Sequence, residues 1–355
     1  MNVVKAGYSL IEENQPITKK IERVARVCYK SEDLIADGTD LKMLRGLISR
    51  QHYAMLEHAN LVYEMAEDLY YPLYNLYTTY KSFYDYHDDV KRVETNCRLR
   101  FTETRINLKG LKGQMRYIVS GNLRSWVEFF DFCKEFLCIR KGKEFIYCPI
   151  MYYIASDIRD KTSGVIDYIS DNFIEGKSEY DNGFHCVTEF SRLTPIERMV
   201  HECFSVLFTV DRGVTHEVVR MRDCSFSQES TRYCNYSKGK FGNEITVIKP
   251  IFFEGNEASK NYSIWVKSCE FAEKAYFELL ENGSKPQEAR DVLPQSVKAD
   301  IVVTTNLQEW LHIFELRACD KTGAAHPQMK EVMCPLCKEM KEKYQFAFGE
   351  LVVKD

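Results

Sequence analysis

A mixed fold of the α/β or α+β class is predicted by three features of the sequence. Segments with apolar residues at helical spacing alternate with short runs rich in β-branched and aromatic residues. The 355 residues are 45% hydrophobic and 28% charged, as in a globular protein with a full core. Strand-like runs also end at Asn or Asp, residues that cap helices. We therefore expect a mixed sheet flanked by long helices, in one domain.

The N-terminal part contains the first predicted elements. Apolar residues recur at helical spacing over residues 17–28, which predicts an amphipathic helix, and a second helix is expected over 41–51. The run from His58 to Met65 is short and dense in β-branched and aromatic residues, which indicates a strand. These elements open the predicted domain.

The sequence changes in character over residues 66 to about 195. A Tyr-rich helical stretch covers 69–86, and a hairpin is predicted over 97–119, with Gly110 and Gly113 at its turn. We interpret 66–195 as an insertion, made of this hairpin and further helices, within the single domain of residues 1–355. Its tyrosines are more easily explained as core and interface residues than as a surface that stacks on bases.

The C-terminal part alternates strands and helices. A strand over 204–210 ends in a turn at Asp211, and a helix starts near Val214. The later predicted elements are a strand over 244–248, a long helix over 259–281, a short helix over 285–292, a strand over 301–305 and a helix over 307–317. Residues 118–126 and 302–310 resemble each other, each a strand leading into a helix that begins at Asn. Two similar junctions or an internal duplication would explain this.

Charge and cysteine usage exclude several classes of protein. The net charge is −4, from 48 basic and 52 acidic residues, so neither nucleic acid nor a membrane surface is expected as a partner. The first residues lack the features of a secretory signal, and no run of eighteen apolar residues occurs, which indicates a cytoplasmic protein. Cys334 and Cys337 are not followed by a second cysteine pair, so no metal site is expected.

The densest group of polar residues lies between His216 and Tyr236. Arginine supplies a planar fork of donors for phosphate, and serine and glutamine can bond the rest of a nucleotide. If residues 226–233 are extended, Ser230 and Arg232 project from the same face of the strand. Acidic residues balance the arginines here, so a compact anionic ligand fits better than a nucleic-acid backbone, and a salt-bridged solvated loop is the simpler alternative.

This segment resembles the signature of flavin-dependent thymidylate synthases. The family pattern is Arg-His-Arg, two residues, Ser, four residues, Ser, one residue and Arg. The matching residues are Arg220, Arg222, Ser225, Ser230 and Arg232, with Met221 in place of the central His. Other family-like elements follow in the same order, at His52 with Glu57-His58, at Ala289-Arg290 with Leu293-Pro294, at Asn306 with the helix through Arg317, and at His326-Pro327-Gln328.

The resemblance implies an enzyme that converts dUMP to dTMP. It implies FAD as cofactor, NADPH as reductant, methylenetetrahydrofolate as carbon donor, and a homotetramer with shared sites. Residues expected to bind FAD are Arg220, Arg222, Ser225, His52, Asn306, His312 and His326. Residues expected to bind dUMP are Glu217, Gln228, Glu229, Ser230, Arg232, Arg290 and Arg317, and the catalytic role is assigned to Ser230, Arg232 and Arg317.

Simpler explanations exist for single residues, and other functions remain open. His312 and His326 taken alone are typical of structural or surface histidines, and Arg290 and Arg317 of surface charges. Met221 and the insertion leave open a related flavin- and folate-dependent methylase or hydroxymethylase of pyrimidine nucleotides. A non-catalytic protein that binds nucleotides or nucleic acid is the alternative of a different class.

Overall fold

The computed structural model describes residues 1–86, 97–106, 113–137, 149–169, 183–239 and 242–354. The strands are β1 (Asn2–Val4), β2 (Gly7–Ile11), β3 (Asn60–Met65), β4 (Arg100–Ile106), β5 (Gln114–Asn122), β6 (Phe184–Cys186), β7 (Cys203–Asp211), β8 (Ser225–Gln228), β9 (Thr246–Ile248) and β10 (Lys298–Asn306). The α-helices are α1 (Ile17–Tyr29), α2 (Thr39–Ser49), α3 (Glu67–Tyr86), α4 (Leu123–Phe132), α5 (Pro149–Lys161), α6 (Pro195–His201), α7 (Arg212–Val218), α8 (Lys260–Glu281), α9 (Pro286–Ala289), α10 (Leu307–Arg317), α11 (Pro327–Lys343) and α12 (Gln345–Phe348).

Two compact units make up the chain. Unit 1 contains Met1–Glu13, Arg23–Ile35 and Phe204–Asp355, and unit 2 contains Asn14–Glu22 and Ala36–Cys203. Both units contain helices and strands, which confirms the predicted mixed class. The single domain with an insertion over 66–195 stays a prediction. Within the described ranges, no helix has both the length and the apolar character that a membrane crossing requires.

The main sheet of unit 1 has four strands in the order β2-β7-β10-β8. β2 is antiparallel to β7, and β8 is antiparallel to β10. A separate parallel pair joins β1 to β9. The C-terminal part of α1 covers the main sheet, where the Ser227 Oγ donates a hydrogen bond of 2.9 Å to the Val24 carbonyl. Strand β8 is the last strand in the order given above, so it forms one edge of the sheet.

The predicted helix over 307–317 is confirmed as α10. Its junction with β10 explains why the helix begins there. Eight of the nine β10 residues are buried, as expected of a central strand covered on both faces. The strand ends at Asn306, whose Oδ1 accepts a hydrogen bond of 3.0 Å from the Glu309 amide and so caps the helix. Trp310 is buried and stacks on Phe204, with ring centroids 4.7 Å apart.

The sheet of unit 2 has the order β4-β5-β3-β6, with each neighbouring pair antiparallel. The predicted hairpin is confirmed as β4 and β5. Gly113 lies at its turn with a φ of +79°, a conformation that favours glycine, whereas Gly110 lies outside the described residues. The tyrosines of α3 form much of the core, since Tyr70, Tyr77 and Tyr80 are buried. Their interpretation as core residues is confirmed.

Several observed elements differ from the sequence prediction. The strand predicted from His58 begins at Asn60, because residues Tyr53–His58 form a 3₁₀ turn that ends there. Strands β1, β2 and β6 were not predicted, because each has five residues or fewer and its exposed positions break the hydrophobic pattern. Helix α6 also went unpredicted, although Thr194 and Glu197 form a capping box at its start.

A neutral histidine lies in the interior of unit 2. The His201 side chain is fully buried, with Nδ1 2.7 Å from the Ser120 Oγ and Nε2 2.8 Å from the Thr102 Oγ1. Burial, and secondly the positive charge of Arg100, lowers the pKa of His201 from 6.5 to about 3. The folded protein therefore keeps this ring uncharged at pH values at which an unfolded chain would protonate it.

His201 should make the protein less stable in mild acid. Below pH 6.5 the unfolded chain binds a proton that folded His201 does not, until the pH approaches 3. Within this window we expect His201 to lower the free energy of unfolding by about 1.4 kcal/mol per pH unit. Urea unfolding between about pH 7 and about pH 5 measures this slope. The slope should fall in a His201→Gln variant and stay unchanged in His52→Gln, which removes an exposed histidine.

Candidate functional site

Strand β8 ends before the residues predicted to bind nucleotide. The expectation that residues 226–233 are extended is wrong, because the strand stops at Gln228 and residues 231–233 form a turn. The Ser230 amide bonds the Cys28 carbonyl at 3.0 Å, and the Ser230 carbonyl accepts from the amides of Tyr233 and Cys234. These bonds take the chain away from β10. Ser230 and Arg232 are therefore presented by a turn and do not share the face of a strand.

Buried charges hold the start of this turn. Glu229 is buried, and its Oε2 accepts a hydrogen bond of 2.9 Å from the Lys298 Nζ, while the Tyr236 hydroxyl lies 3.4 Å from its Oε1. The Glu229 amide bonds the Asp300 carbonyl at 2.8 Å. In this position Glu229 anchors the turn to β10 by both its side chain and its backbone.

Asp300, which lies on β10, belongs to the same group of charged side chains as Glu229 and Lys298. Its carboxylate is bonded by the Lys298 Nζ at 2.9 Å, by the Thr209 Oγ1 at 2.7 Å and by the Lys30 Nζ. Burial alone would raise the pKa of Asp300, but the charges of Lys298 and Lys30 outweigh it and lower that pKa. We name Lys30, Glu229, Lys298 and Asp300 the anchor cluster. Two ammonium groups and two carboxylates balance one another within it.

Arg232 lies at the exposed end of the turn. Its guanidinium carbon is 5.4 Å from the centroid of the Tyr233 ring, and that ring lies 5.5 Å from the ring of Tyr29. Contact with an aromatic face orients a guanidinium while leaving its N–H donors in its plane available. Arg232 can therefore offer a planar set of donors to an anionic ligand.

Arg317, the last residue of α10, is paired with Glu217 on α7. The Arg317 Nη1 lies 3.4 Å from the Glu217 Oε2, and the Arg317 side chain is 26% exposed. The Arg317 Nε is buried and has no hydrogen-bond partner among the described residues. A buried donor without a protein partner is costly and fits a site that a polar ligand completes. The structure thus brings together two of the residues predicted to bind nucleotide.

Helix α7 is fixed by polar contacts at its middle and at its start. The Gln228 Nε2 donates a bond of 3.0 Å to the Thr215 Oγ1. At the helix start, the Asp211 Oδ1 accepts from the Val214 amide at 2.9 Å, and its Oδ2 accepts from the Gln328 Nε2 at 2.5 Å. Burial raises the pKa of Asp211. These contacts join the start of α11 to the helix that carries Glu217.

The residues predicted to bind flavin are spread over several elements. Arg220 and Arg222 are exposed on the segment between α7 and β8, whereas Ser225 is buried in β8 opposite Thr304. His312 is exposed on α10, and the Asn306 side chain caps that helix. His326 is exposed and caps α11, its Nδ1 accepting from the Gln328 amide at 3.3 Å. His52 belongs to unit 2 and is exposed.

The remaining predicted residues are also located. Arg290 is exposed and begins a short 3₁₀ turn directly after α9. Cys334 and Cys337 are buried within α11. Within the described ranges, no cluster of three or more His, Cys, Asp or Glu side chains could hold a metal ion.

Sequence reasoning missed the anchor cluster apart from Glu229. Lys30, Lys298 and Asp300 are residue types that usually lie on the surface, so their types alone did not mark them. One signal was present, because Asp300 interrupts a run of apolar and β-branched residues that continues to Asn306. A charge within a strand of this kind is generally paired.

The site thus belongs to a mixed helix-and-sheet protein that presents several arginines around a short edge strand. Residues 184–344, somewhat less than half of the chain, match the family model of the thymidylate synthase complementing protein. The predicted resemblance to flavin-dependent thymidylate synthases is thereby confirmed over this segment, which contains every predicted site residue except His52.

Individual relatives agree with the family match. The chain is 32% identical over 132 residues to the flavin-dependent thymidylate synthase of Pyrococcus abyssi (strain GE5 / Orsay), covering 37% of this chain and 51% of that protein. It is 33% identical over 161 residues to the enzyme of that name from Nitratidesulfovibrio vulgaris, covering 43% and 62%. With that of Pyrococcus horikoshii the identity is 35% over 132 residues. The chain spans about half the length of most of these relatives.

Proposed function

We propose that the chain is a flavin-dependent thymidylate synthase that methylates the uracil ring of dUMP to form dTMP. The observation that carries this proposal is the matched segment 184–344, which contains Arg232, Arg290 and Arg317 together. The unpartnered Nε of Arg317 supports it, since a nucleotide offers the acceptor that this donor lacks. The carbon donor would be methylenetetrahydrofolate.

FAD is the cofactor that the proposal requires, with NADPH as its reductant. Arg220, Arg222 and His312 are exposed, so their donors are available to flavin phosphates or ring atoms. Ser225, Asn306, His326 and His52 are further candidates for this role. When bound, FAD supplies the hydride that completes the methyl group.

The chain itself would supply positioning and electrostatic stabilisation. Arg232, Arg290 and Arg317 would hold dUMP and stabilise negative charge that builds up on the uracil ring. Ser230 would donate a hydrogen bond to the substrate. Glu217 would hold the Arg317 guanidinium, Gln228 would fix α7 through Thr215, and Glu229 would fix the turn through Lys298.

The Glu217–Arg317 pair gives a kinetic prediction. A Glu217→Gln variant keeps the shape of the side chain but removes the charge that orients Arg317, so we expect KM for dUMP to rise about tenfold with little change in kcat. Steady-state assays at saturating folate and NADPH measure both constants. Glu278→Gln, an exposed change on α8, is the matched control and should behave as the unaltered protein. An unchanged KM for Glu217→Gln would contradict the role given to this pair.

The product identifies the reaction. The protein is incubated with dUMP, methylenetetrahydrofolate, NADPH and FAD, and the nucleotide product is identified by mass spectrometry. dTMP supports the proposal, whereas a hydroxymethyl product supports the related hydroxymethylase that the Met221 departure leaves open. A protein that shows no flavin absorption after reconstitution and forms no product would favour a non-catalytic nucleotide-binding protein.

The assembly and cellular location are part of the same proposal. The proposal includes a homotetramer with active sites shared between subunits, as the resemblance implies, and a cytoplasmic location. Light scattering coupled to size-exclusion chromatography measures the mass of the assembly. A monomer with full activity would contradict shared sites.

A further inference from the structure

The two units contain the same succession of elements. Unit 2 has the order β3-α3-β4-β5-α4 along the chain, and the sheet-forming part of unit 1 has the order β7-α7-β8-β10-α10, with β9, α8 and α9 between β8 and β10. The spatial order also coincides. The sheet of unit 2 is β6-β3-β5-β4 and that of unit 1 is β2-β7-β10-β8. Three strands of each sheet therefore correspond in both chain order and position, whereas β2 and β6 correspond in position alone, because β2 precedes β7 in the chain and β6 follows β3.

The central junctions of the two sheets correspond residue by residue. β5 and β10 each have nine residues and end at Asn122 and Asn306. Each Asn caps the following helix, through the Ser125 amide at 2.8 Å and the Glu309 amide at 3.0 Å. A fully buried tryptophan, Trp126 or Trp310, follows four residues later in both helices.

The register with the edge strands agrees with this alignment. Ser120 pairs with Arg100 in unit 2, and Thr304, at the same distance from its Asn, pairs with Ser225 in unit 1. Aligning β5 on β10 therefore aligns β4 on β8, with Phe101 on Phe226. Both edge pairs are antiparallel.

The strand on the other side of each central strand also has the same direction in both units. β5 is antiparallel to β3. In unit 1, Ser205 contacts Thr304 and Thr209 contacts Asp300, so β7 and β10 also run in opposite directions. Two similar strand-to-helix junctions could arise separately, but a shared strand order, direction and register are not expected from coincidence.

In the described part of unit 2, the three arginines proposed to hold dUMP have no counterparts. The eleventh residue after the capping Asn is Arg317 in unit 1 and the buried Cys133 in unit 2. Arg232 and Arg290 lie between β8 and β10. In unit 2 the counterparts of these strands form a hairpin, with β4 continuing to Ile106 in register with Gln114 of β5.

We infer that unit 2 is a second copy of the unit 1 sheet and helices that binds no nucleotide, so that each chain carries a single dUMP site, in unit 1. The inference rests on the proposed function for the identity of the ligand. It explains why the resemblance between residues 118–126 and 302–310 is confined to a structural junction. The copied part is the packed junction, and the ligand-facing arginines belong to unit 1.

Counting dUMP sites tests the inference. Isothermal titration of the full-length, FAD-loaded protein with dUMP should give about one site per chain. Arg232→Ala should remove nearly all binding. The double variant Arg100→Ala/Arg105→Ala, on the β4 counterpart of β8, should keep the same stoichiometry and affinity.

The outcomes separate this inference from the proposed function. Two sites per chain, or binding by Arg232→Ala that disappears when Arg100→Ala/Arg105→Ala is added, would overturn the inference and leave the proposed function in place. The absence of any dUMP binding to the unaltered protein would overturn both. Circular dichroism of each variant shows that a lost site is not a lost fold.

Discussion

Replacing Arg232 with alanine is expected to abolish dTMP formation while leaving FAD bound. Arg232 is exposed at the end of a turn, is held against the Tyr233 ring and offers a planar set of donors. Charged hydrogen bonds to a substrate on which negative charge develops contribute strongly to the rate, so we expect kcat/KM to fall at least about a hundredfold. Arg232 is not among the residues proposed to hold FAD, so the flavin spectrum should persist.

The measurement combines turnover with the visible spectrum of the purified variant. Lys238→Ala is the matched control, because it removes an exposed positive charge six residues further along the same stretch of chain. The control should keep full turnover. Normal dTMP formation by Arg232→Ala would refute the role given to this arginine, and loss of both turnover and FAD would show that Arg232 serves the flavin instead.

Replacing Lys298 with alanine is expected to have the largest effect on stability. Its ammonium group bonds both Glu229 and Asp300, whose side chains are 1% and 7% exposed. Removing it leaves Glu229 as a buried charge without its nearest partner, a change that costs about 3 kcal/mol or more in other proteins. The midpoint of urea unfolding measures the loss, and KM for dUMP should rise in parallel because Glu229 anchors the turn that carries Ser230 and Arg232.

Two further variants make this prediction specific. Lys5→Ala breaks an exposed pair with Glu254 and should change stability little. Glu229→Gln/Lys298→Met removes the buried charge together with its partner and should recover part of the stability lost in Lys298→Ala. If Lys298→Ala unfolds at the same urea concentration as Lys5→Ala, the anchor cluster does not stabilise the fold.

Local patterns allowed much of the fold to be predicted. Helices α1, α8 and α10 follow from apolar periodicity and from the caps at Ser259 and Asn306, because both signals lie within a few neighbouring residues. The hairpin of β4 and β5 follows from dense β-branched and aromatic residues around a glycine turn. The length of β8 could not be predicted, since the strand ends where the Ser230 amide bonds Cys28, about two hundred residues earlier in the chain.

The candidate site was predicted by its motif more than by its physical environment. Spacing identified Arg220, Arg222, Ser225, Ser230 and Arg232, and the family match now covers all five. Spacing did not indicate that Glu229 is buried, because its partners Lys298 and Tyr236 lie on other segments. Pairs of this kind depend on tertiary contacts, which a single sequence does not encode in its local pattern.

The position of β8 at the edge of its sheet has a consequence for how the protein can change over evolutionary time. The ladder between β8 and β10 is limited to four residue pairs, and residues 219–224, which precede β8, lie outside it. A substitution in that segment, such as one at Met221, would leave the hydrogen bonds of this ladder in place. The ligand contacts proposed for Arg220 and Arg222 could thus change over time while the pairing of β8 with β10 is kept.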